Sequence, residues 1–393
     1  MNLLYHADKN SKCVAAIENS GKLDMDFHKY ASNFYEAAEC VIRYLEEEAS
    51  QNHDIAKLDL WYFAMIYLYR QSLELILKAN IFQIVTDVND RQKVVQEIFH
   101  NLKKGFEKLI EIRNLKTFNG VEWLMNYLDD ISKIDEGSDA FRYPFNQKHK
   151  AVFERQTHIS LIETHKNMTK AYKLLESLFM TGTFIKEDGK PSLPKLIIEG
   201  GCYYQQSVVC YKYSQFSFYP YFASYTGVGE FLKNIIINEN TMDLFIPMCY
   251  MYRNAAELGL KRLIIDGDNV NGVTKRKILG KKKHSLSGLW KNARATINNL
   301  FDDVTLDEVT QSIDILHDID PVADKFRYPS DKVLNPYFRT KEKIDVERLS
   351  SFFEDLCTFL DGADVILSET IDFTHEYDYN NYDYDYNDDH YLF

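Results

Sequence analysis

The chain has 393 residues, 45% of them apolar and 14% aromatic, with 27 tyrosines. That is enough for two ordinary domains with large cores, and only 16 glycines and 8 prolines argue against a loop-rich all-β protein and for long helices. A net charge of −13 excludes a general polyanion binder, so any nucleic-acid surface has to be a local patch.

At the start, "MNLLYHADKN" is too short and too polar for the apolar stretch of a secretion signal. No apolar run approaches the ~20 residues of a spanning helix, so no membrane partner is expected. The six cysteines, Cys13, Cys40, Cys202, Cys210, Cys249 and Cys357, form no Cys-x-x-Cys pair and no zinc spacing. They read as reduced thiols of a cytoplasmic protein. No metal or other cofactor is expected.

The first helical segment is "YASNFYEAAECVIRYLEEEA" from Tyr30, with apolar residues at helical spacing. Next comes "LWYFAMIYLYRQSLELILKANI" from Leu60, apolar nearly all round. It carries Arg70 and Glu74 four apart, on one helix face. A buried arginine needs a partner, and a carboxylate one turn away supplies it. "HNLKKGFEKLIEI" opens a further helix at His100, whose ring can act as a cap, a core-facing donor or a proton carrier. "IDEGSDAFRYP" follows from Ile134, and its proline takes the backbone out of the helix beside Arg142. A helical pattern resumes in "ISLIETHKNMTKAYKLLESL" from Ile159.

A polar linker, "IKEDGKPSLPKL", comes next. After it, "CYYQQSVVCYKYSQFSFYPYF" favours a β-hairpin or an irregular aromatic connector. Then the first pattern returns. "LFIPMCYMYRNAAELGLKRLII" from Leu244 repeats Tyr-Arg-x-x-x-Glu-Leu-x-Leu-Lys, matching Arg70 with Arg253, Glu74 with Glu257 and Lys78 with Lys261. His284 in "HSLSGLWKNA" matches His100, and "IDPVADKFRYP" repeats the turn, matching Asp135 with Asp320, Asp139 with Asp324 and Arg142 with Arg327. The offset drifts only from 183 to 185. The same polar residues in the same order at nearly constant spacing imply an internal duplication. The expected fold is mainly α, two tandem antiparallel helical bundles with a short aromatic connector. Repeat one is placed at 1–183, the connector at 184–214, repeat two at 215–370 and an acidic tail at 371–393.

Two polar clusters stand out: Arg70, Glu74, His100 and Asp139 in the first copy, and Arg253, Glu257, His284, Asp324 and Arg327 in the second. Each has two readings, a buried ion pair that fixes helix register or the lining of a polar site. Lys275, Arg276, Lys277, Lys281, Lys282 and Lys283 fall in one loop of the second copy. They read as a solvated lysine loop or as a phosphate-backbone contact. The tail, "HEYDYNNYDYDYNDDHYLF" from His375, alternates tyrosine with aspartate or asparagine and is expected to be disordered alone. No His-Glu-x-x-His, Gly-x-Ser-x-Gly or phosphate-loop motif occurs, and "GVGE" at Gly227–Glu230 is too short for one.

Helical repeats reading "YRQSLELILK", then "HNL", then "DAFRYP" resemble HEPN-type domains, small helical bundles of prokaryotic toxin and phage-defence proteins. The resemblance covers most of both repeats and implies a tandem, degenerate HEPN-like protein. By that resemblance, Arg142 and His149, with six residues between them, would form a metal-independent RNA-cutting pair at the inter-repeat cleft. Arginine would stabilise the phosphorane charge and histidine would move the 2′-hydroxyl proton. RNA or another nucleic acid and a partner protein of a defence or toxin–antitoxin system are the implied partners. Pro144 lies within the spacing, and "RYPSDKV" of the second copy has no histidine. The alternative is a non-catalytic interaction or sensor protein whose Arg/Glu/His clusters are structural.

Overall fold

The computed structural model describes residues 5–115, 119–145, 151–185, 192–210, 217–267, 277–281 and 284–388, leaving aside the side chains of 119 and 372–388. It is mainly α-helical. In chain order the helices are α1 (Leu23–Glu47), α2 (Ala56–Leu60), α3 (Tyr62–Phe82), α4 (Val88–Ile98), α5 (Leu102–Arg113), α6 (Asn119–Ile134), α7 (Leu161–Thr181), α8 (Tyr219–Glu239), α9 (Phe245–Asp266), α10 (Leu286–Ile297), α11 (Asp303–Ile319) and α12 (Val346–Asp388). Four short strands accompany them: β1 (Val14–Ile17), β2 (Thr157–Ser160), β3 (Gln206–Val209) and β4 (Glu342–Asp345).

By residue contacts the chain divides into two compact units. The first joins Met1–Ala255 to Ala323–Ser351, and the second joins Ala256–Val322 to Phe352–Phe393. This division cuts across the repeat boundaries drawn from the sequence.

In the first unit, every residue of α3 is buried, with α1, α5, α7 and α8 packed against it. α1 contributes Phe27, Phe34, Val41, Ile42 and Leu45 to that core, each worth roughly 1.5–3 kcal/mol on burial. A helix without a wet face must satisfy its polar residues internally. Ser72 donates to the Tyr69 carbonyl at 2.7 Å, and Asn80 Nδ2 donates to the carbonyls of Ile76 and Leu175 at 2.9 and 3.0 Å. α1, α3 and α7 also meet at Glu39, which accepts from Tyr69 at 2.8 Å, Thr169 at 2.7 Å and His165 Nε2 at 3.3 Å.

The strands pair segments that are far apart in sequence. β1 runs antiparallel to β4, with Ala15 opposite Ile344. β2 runs antiparallel to β3, with Ile159 opposite Ser207. Among the described residues, the aromatic stretch after the linker, expected as a hairpin or an irregular connector, pairs through β3 with β2 rather than within itself. Its extended part, Gln206–Val209, takes a partner lying before it in the chain. β2 and β4 each lead into a helix whose first turn is capped from the strand's end. Glu163 N–H donates to Ser160 Oγ at 3.4 Å, and Arg348 N–H donates to Asp345 Oδ1 at 3.0 Å.

In the second unit, Arg262 of α9 reaches Asp361 at 2.7 Å and Asp364 at 2.5 Å on α12. Trp290 of α10 donates to Thr310 of α11 at 2.8 Å and meets Phe359 edge-on. α12 continues through residue 371 to Asp388. The tail, expected without structure, thus has a helical backbone over most of its length, since extending a helix already begun avoids the cost of nucleation.

"GVGE" lies inside α8. A Cβ on Gly227 would stand 2.5 Å from Trp61 Nε1, and one on Gly229 would stand 3.1 Å from the Tyr252 ring. These glycines admit two aromatic rings against a helix backbone. Trp61 is held in turn by Tyr44 and Phe231. Gly227→Ala is therefore expected to destabilise the protein by about 1–3 kcal/mol through overpacking, despite alanine's better helix propensity. Urea denaturation would register it as a lowered midpoint.

Candidate functional site

α3 places Arg70, Glu74 and Lys78 one turn apart on one face, all buried. Arg70 pairs with Glu74, gives Nε to Asp135 Oδ2 at 2.9 Å, and donates a third hydrogen bond to the His100 carbonyl. Asp135 Oδ1 accepts the Ala140 N–H at 2.9 Å. One guanidinium so joins α3, the turn after α6 and the turn before α5. Phe99 stands in that last turn at φ 49° and ψ −114°. This is a sparsely populated conformation of the kind that costs about 1–3 kcal/mol.

Glu74 Oε1 gathers three further donors: Lys78 Nζ at 2.7 Å, His100 Nδ1 at 2.9 Å and the Tyr328 hydroxyl at 2.7 Å. Burial opposes ionisation of Glu74, but Lys78, His100 and Arg70 outweigh it and hold the carboxyl well below its usual range. His100 is pushed the other way. Burial lowers its pKa to about 4, Glu74 works against the shift, and Arg327 and Lys78 reinforce it. The ring is neutral at pH 7, with Nδ1 oriented by the carboxylate. His100 is not the helix cap; Asn101 is, accepting the Lys104 N–H at 2.9 Å.

The second unit builds the same group. Lys261 Nζ lies 2.7 Å from Glu257 Oε1, and His284 Nδ1 lies 3.0 Å from it. Glu257 is fully buried, while the His284 side chain is 34% exposed against 18% for His100. Ser285, not His284, caps α10, accepting the Gly288 N–H at 3.1 Å.

The two Phe-Arg-Tyr-Pro turns share one backbone geometry. The Arg142 and Tyr143 N–H groups donate to the Asp139 carbonyl at 3.0 and 2.9 Å; those of Arg327 and Tyr328 donate to the Asp324 carbonyl at 3.0 and 2.9 Å. Matched residues Ser138 and Ala323 both take positive φ, 62° and 61°. Neither is glycine, so the sequence gives no sign of these bends. Tyr67 of α3 stacks on its sequence match Tyr250 of α9 at 4.9 Å and 21°. Arg142 lies over Tyr67, and Arg327 lies over Tyr250, each at 5.9 Å. Arg327 also donates Nε to the Tyr67 hydroxyl at 3.0 Å. Its neighbour Tyr328 leaves the second turn to complete the Glu74 cluster.

Arg142 is 3% exposed. Its Nε donates to the Ser138 carbonyl at 2.5 Å, and a terminal nitrogen meets Asp139 Oδ1 at 3.1 Å. The arginine proposed to meet RNA phosphate is thus buried and engaged within its own turn. His149 lies outside the described residues, as do Lys275, Arg276, Lys282 and Lys283. Lys277 and Lys281 are exposed. Arg253 is fully buried and Arg327 4% exposed. Asp139 and Asp324 face the arginines of their own turns, at 3.1 and 3.7 Å. Among the described residues, no cluster suits a metal ion and no helix is long and apolar enough to cross a membrane. The sequence reading did not assign Tyr328 to the first cluster; its only signal was membership of the repeated turn.

The fold and its buried clusters define a mainly α-helical protein with paired, sequence-matched Lys–Glu–His groups. Comparisons with protein-family models, curated proteins and solved structures find no significant match.

Two outcomes are expected. Glu74→Ala leaves buried Lys78 without its carboxylate and Arg70 with Asp135 alone, and should cost about 3–5 kcal/mol, read as a fall in the urea midpoint at unchanged slope. His100 has a folded pKa below its unfolded value, so it contributes stability above the unfolded pKa that is lost as pH falls toward about 4. The urea midpoint should drop between about pH 6.5 and 4, and His100→Gln should flatten that dependence.

Proposed function

We propose that this chain is a non-catalytic interaction or sensor protein in which the Arg/Glu/His clusters are structural, built from two HEPN-like helical copies. The observation that carries the reading is the burial of Arg142, whose Nε and one terminal nitrogen are engaged by Ser138 and Asp139. A phosphate-stabilising arginine must present donors to its substrate, and this one presents them to its own turn. Arg70, Arg253 and Arg327 are as deeply buried, which fits a role in fixing helix register. The shared geometry of the two turns and the stacking of Tyr67 on Tyr250 support the reading of the chain as a duplicated unit.

A second reading, RNA binding in a defence or toxin setting, draws on one observation. Lys277 and Lys281 are exposed in the segment where the sequence concentrates positive charge.

Incubation of the full chain with end-labelled single-stranded RNA separates these readings. No cleavage is expected, and Arg142→Ala should lower thermal stability without changing the RNA. Cleavage that disappears in Arg142→Ala or His149→Ala, each shown to be folded, would overturn the non-catalytic reading. Salt-dependent RNA binding lost on replacing Lys277 and Lys281 with glutamate would establish the second.

A further inference from the structure

β1 and β3 both lie at the edge of a ladder, and the two edges are finished differently. Beside β2, the Ser160 N–H donates to the Ile198 carbonyl and the Gly200 N–H donates to the His158 carbonyl. His158 and Ser160 thus turn their main chain away from β3, and Thr157 and Ile159 turn theirs toward it. By the alternation of antiparallel ladders and the observed register, Ser207 and Val209 face β2 while Gln206 and Val208 face outward. The outward Val208 N–H is taken by Asp59 Oδ1 of α2 at 2.6 Å. This edge is covered.

At the other ladder, the Ala7 N–H donates to the Lys343 carbonyl and the Asp345 N–H donates to the Tyr5 carbonyl, while the Val346 N–H donates to Cys13. β4 is therefore occupied on both sides. Cys13, Ala15 and Ile17 face β4, and Val14, Ala16 and Glu18 turn their main chain outward. The third residue of β1, Ala16, corresponds to Val208 of β3. Among the described residues, nothing plays the part of Asp59 for the Ala16 N–H. Ala16 and Glu18 are exposed. Alongside them runs a small groove whose far walls include Asp26, Lys29 and Tyr30 of α1, Asp243 just before α9 and Phe245 at its start. Glu18, Asp26 and Asp243 set three carboxylates against the single ammonium of Lys29.

The geometry points to β1 as a docking edge for an extended, lysine- or arginine-bearing segment of a partner protein, which adds as a further strand beside Val14–Glu18. Unpaired main-chain donors and acceptors template such a strand. The apolar floor of Tyr30 and Phe245, both buried, receives alternate side chains, and the acidic walls select cationic ones. This deepens the interaction reading, but its test is separate: RNA cleavage decides that reading and leaves the β1 edge untouched.

The test uses the full chain and two short acetylated peptides, one alternating valine with lysine and one alternating valine with glutamate. Binding is followed by calorimetry and by amide exchange at residues 14–18. The lysine peptide is expected to bind and to protect the Ala16 and Glu18 amides. Ala16→Pro removes the outward N–H without touching the ladder to β4, at a position where edge strands admit proline. It should weaken binding by about tenfold, the equivalent of one strong hydrogen bond. Glu18→Lys with Asp243→Lys, both exposed, should weaken the lysine peptide similarly and favour the glutamate peptide, and this pair keeps the test decisive if Ala16→Pro unfolds. No binding of the lysine peptide by the native chain, or binding indifferent to both changes, overturns the proposal. So does a concentration-dependent dimer abolished by Ala16→Pro, which assigns the edge to a second copy of this chain.

Discussion

The first unit depends on the guanidinium of Arg70. Removing a charge from water is costly, and it is tolerated only when geometry and hydrogen bonding compensate closely. Here the compensation comes from three directions: Glu74 on the same helix, Asp135 after α6 and the His100 carbonyl before α5. Asp135 in turn holds the Ala140 N–H, so the turn that carries Arg142 hangs from the same charge. Shifting any one of these elements would leave an ion uncompensated in the core. The packing around α3 thereby acquires a fixed register, which apolar contacts alone specify less sharply.

Pairing between segments far apart in the chain is the second organising feature. β1 near the start pairs with β4, β2 pairs with β3 of the connector, and Tyr328 donates to Glu74. Matched residues Tyr67 and Tyr250 stack at the middle, with Arg142 and Arg327 on the same rings. Two buried arginines near one another are electrostatically unfavourable, and aromatic faces with local carboxylates ease that repulsion. Such residues are committed to structure before any ligand arrives.

Differences between the sequence-matched segments are as informative as the matches. The same Lys–Glu–His group recurs around Glu74 and Glu257 with nearly equal distances, yet the histidines differ in exposure. The β3 edge is closed by Asp59 while the β1 edge faces a groove.

The sequence by itself determined the helices that begin near Tyr30, Leu60, His100, Ile159 and Leu244, the matching of Arg70 with Arg253 and of one Phe-Arg-Tyr-Pro turn with the other, and the need of buried Arg70 for Glu74. Periodicity and one-turn spacing are local properties, and local sequence carries them. Only the tertiary structure decided that Arg142 points into its own turn, that Tyr328 reaches Glu74, 254 residues away in the chain, and that the segment at Val14 becomes a strand. Those outcomes rest on positive φ at Ser138 and Ala323, which no glycine announces, and on pairings between segments with no pattern of their own. A four-residue stretch such as Val14–Ile17 has too little periodicity to declare itself, and it becomes a strand because the main chain of β4 supplies its hydrogen bonds.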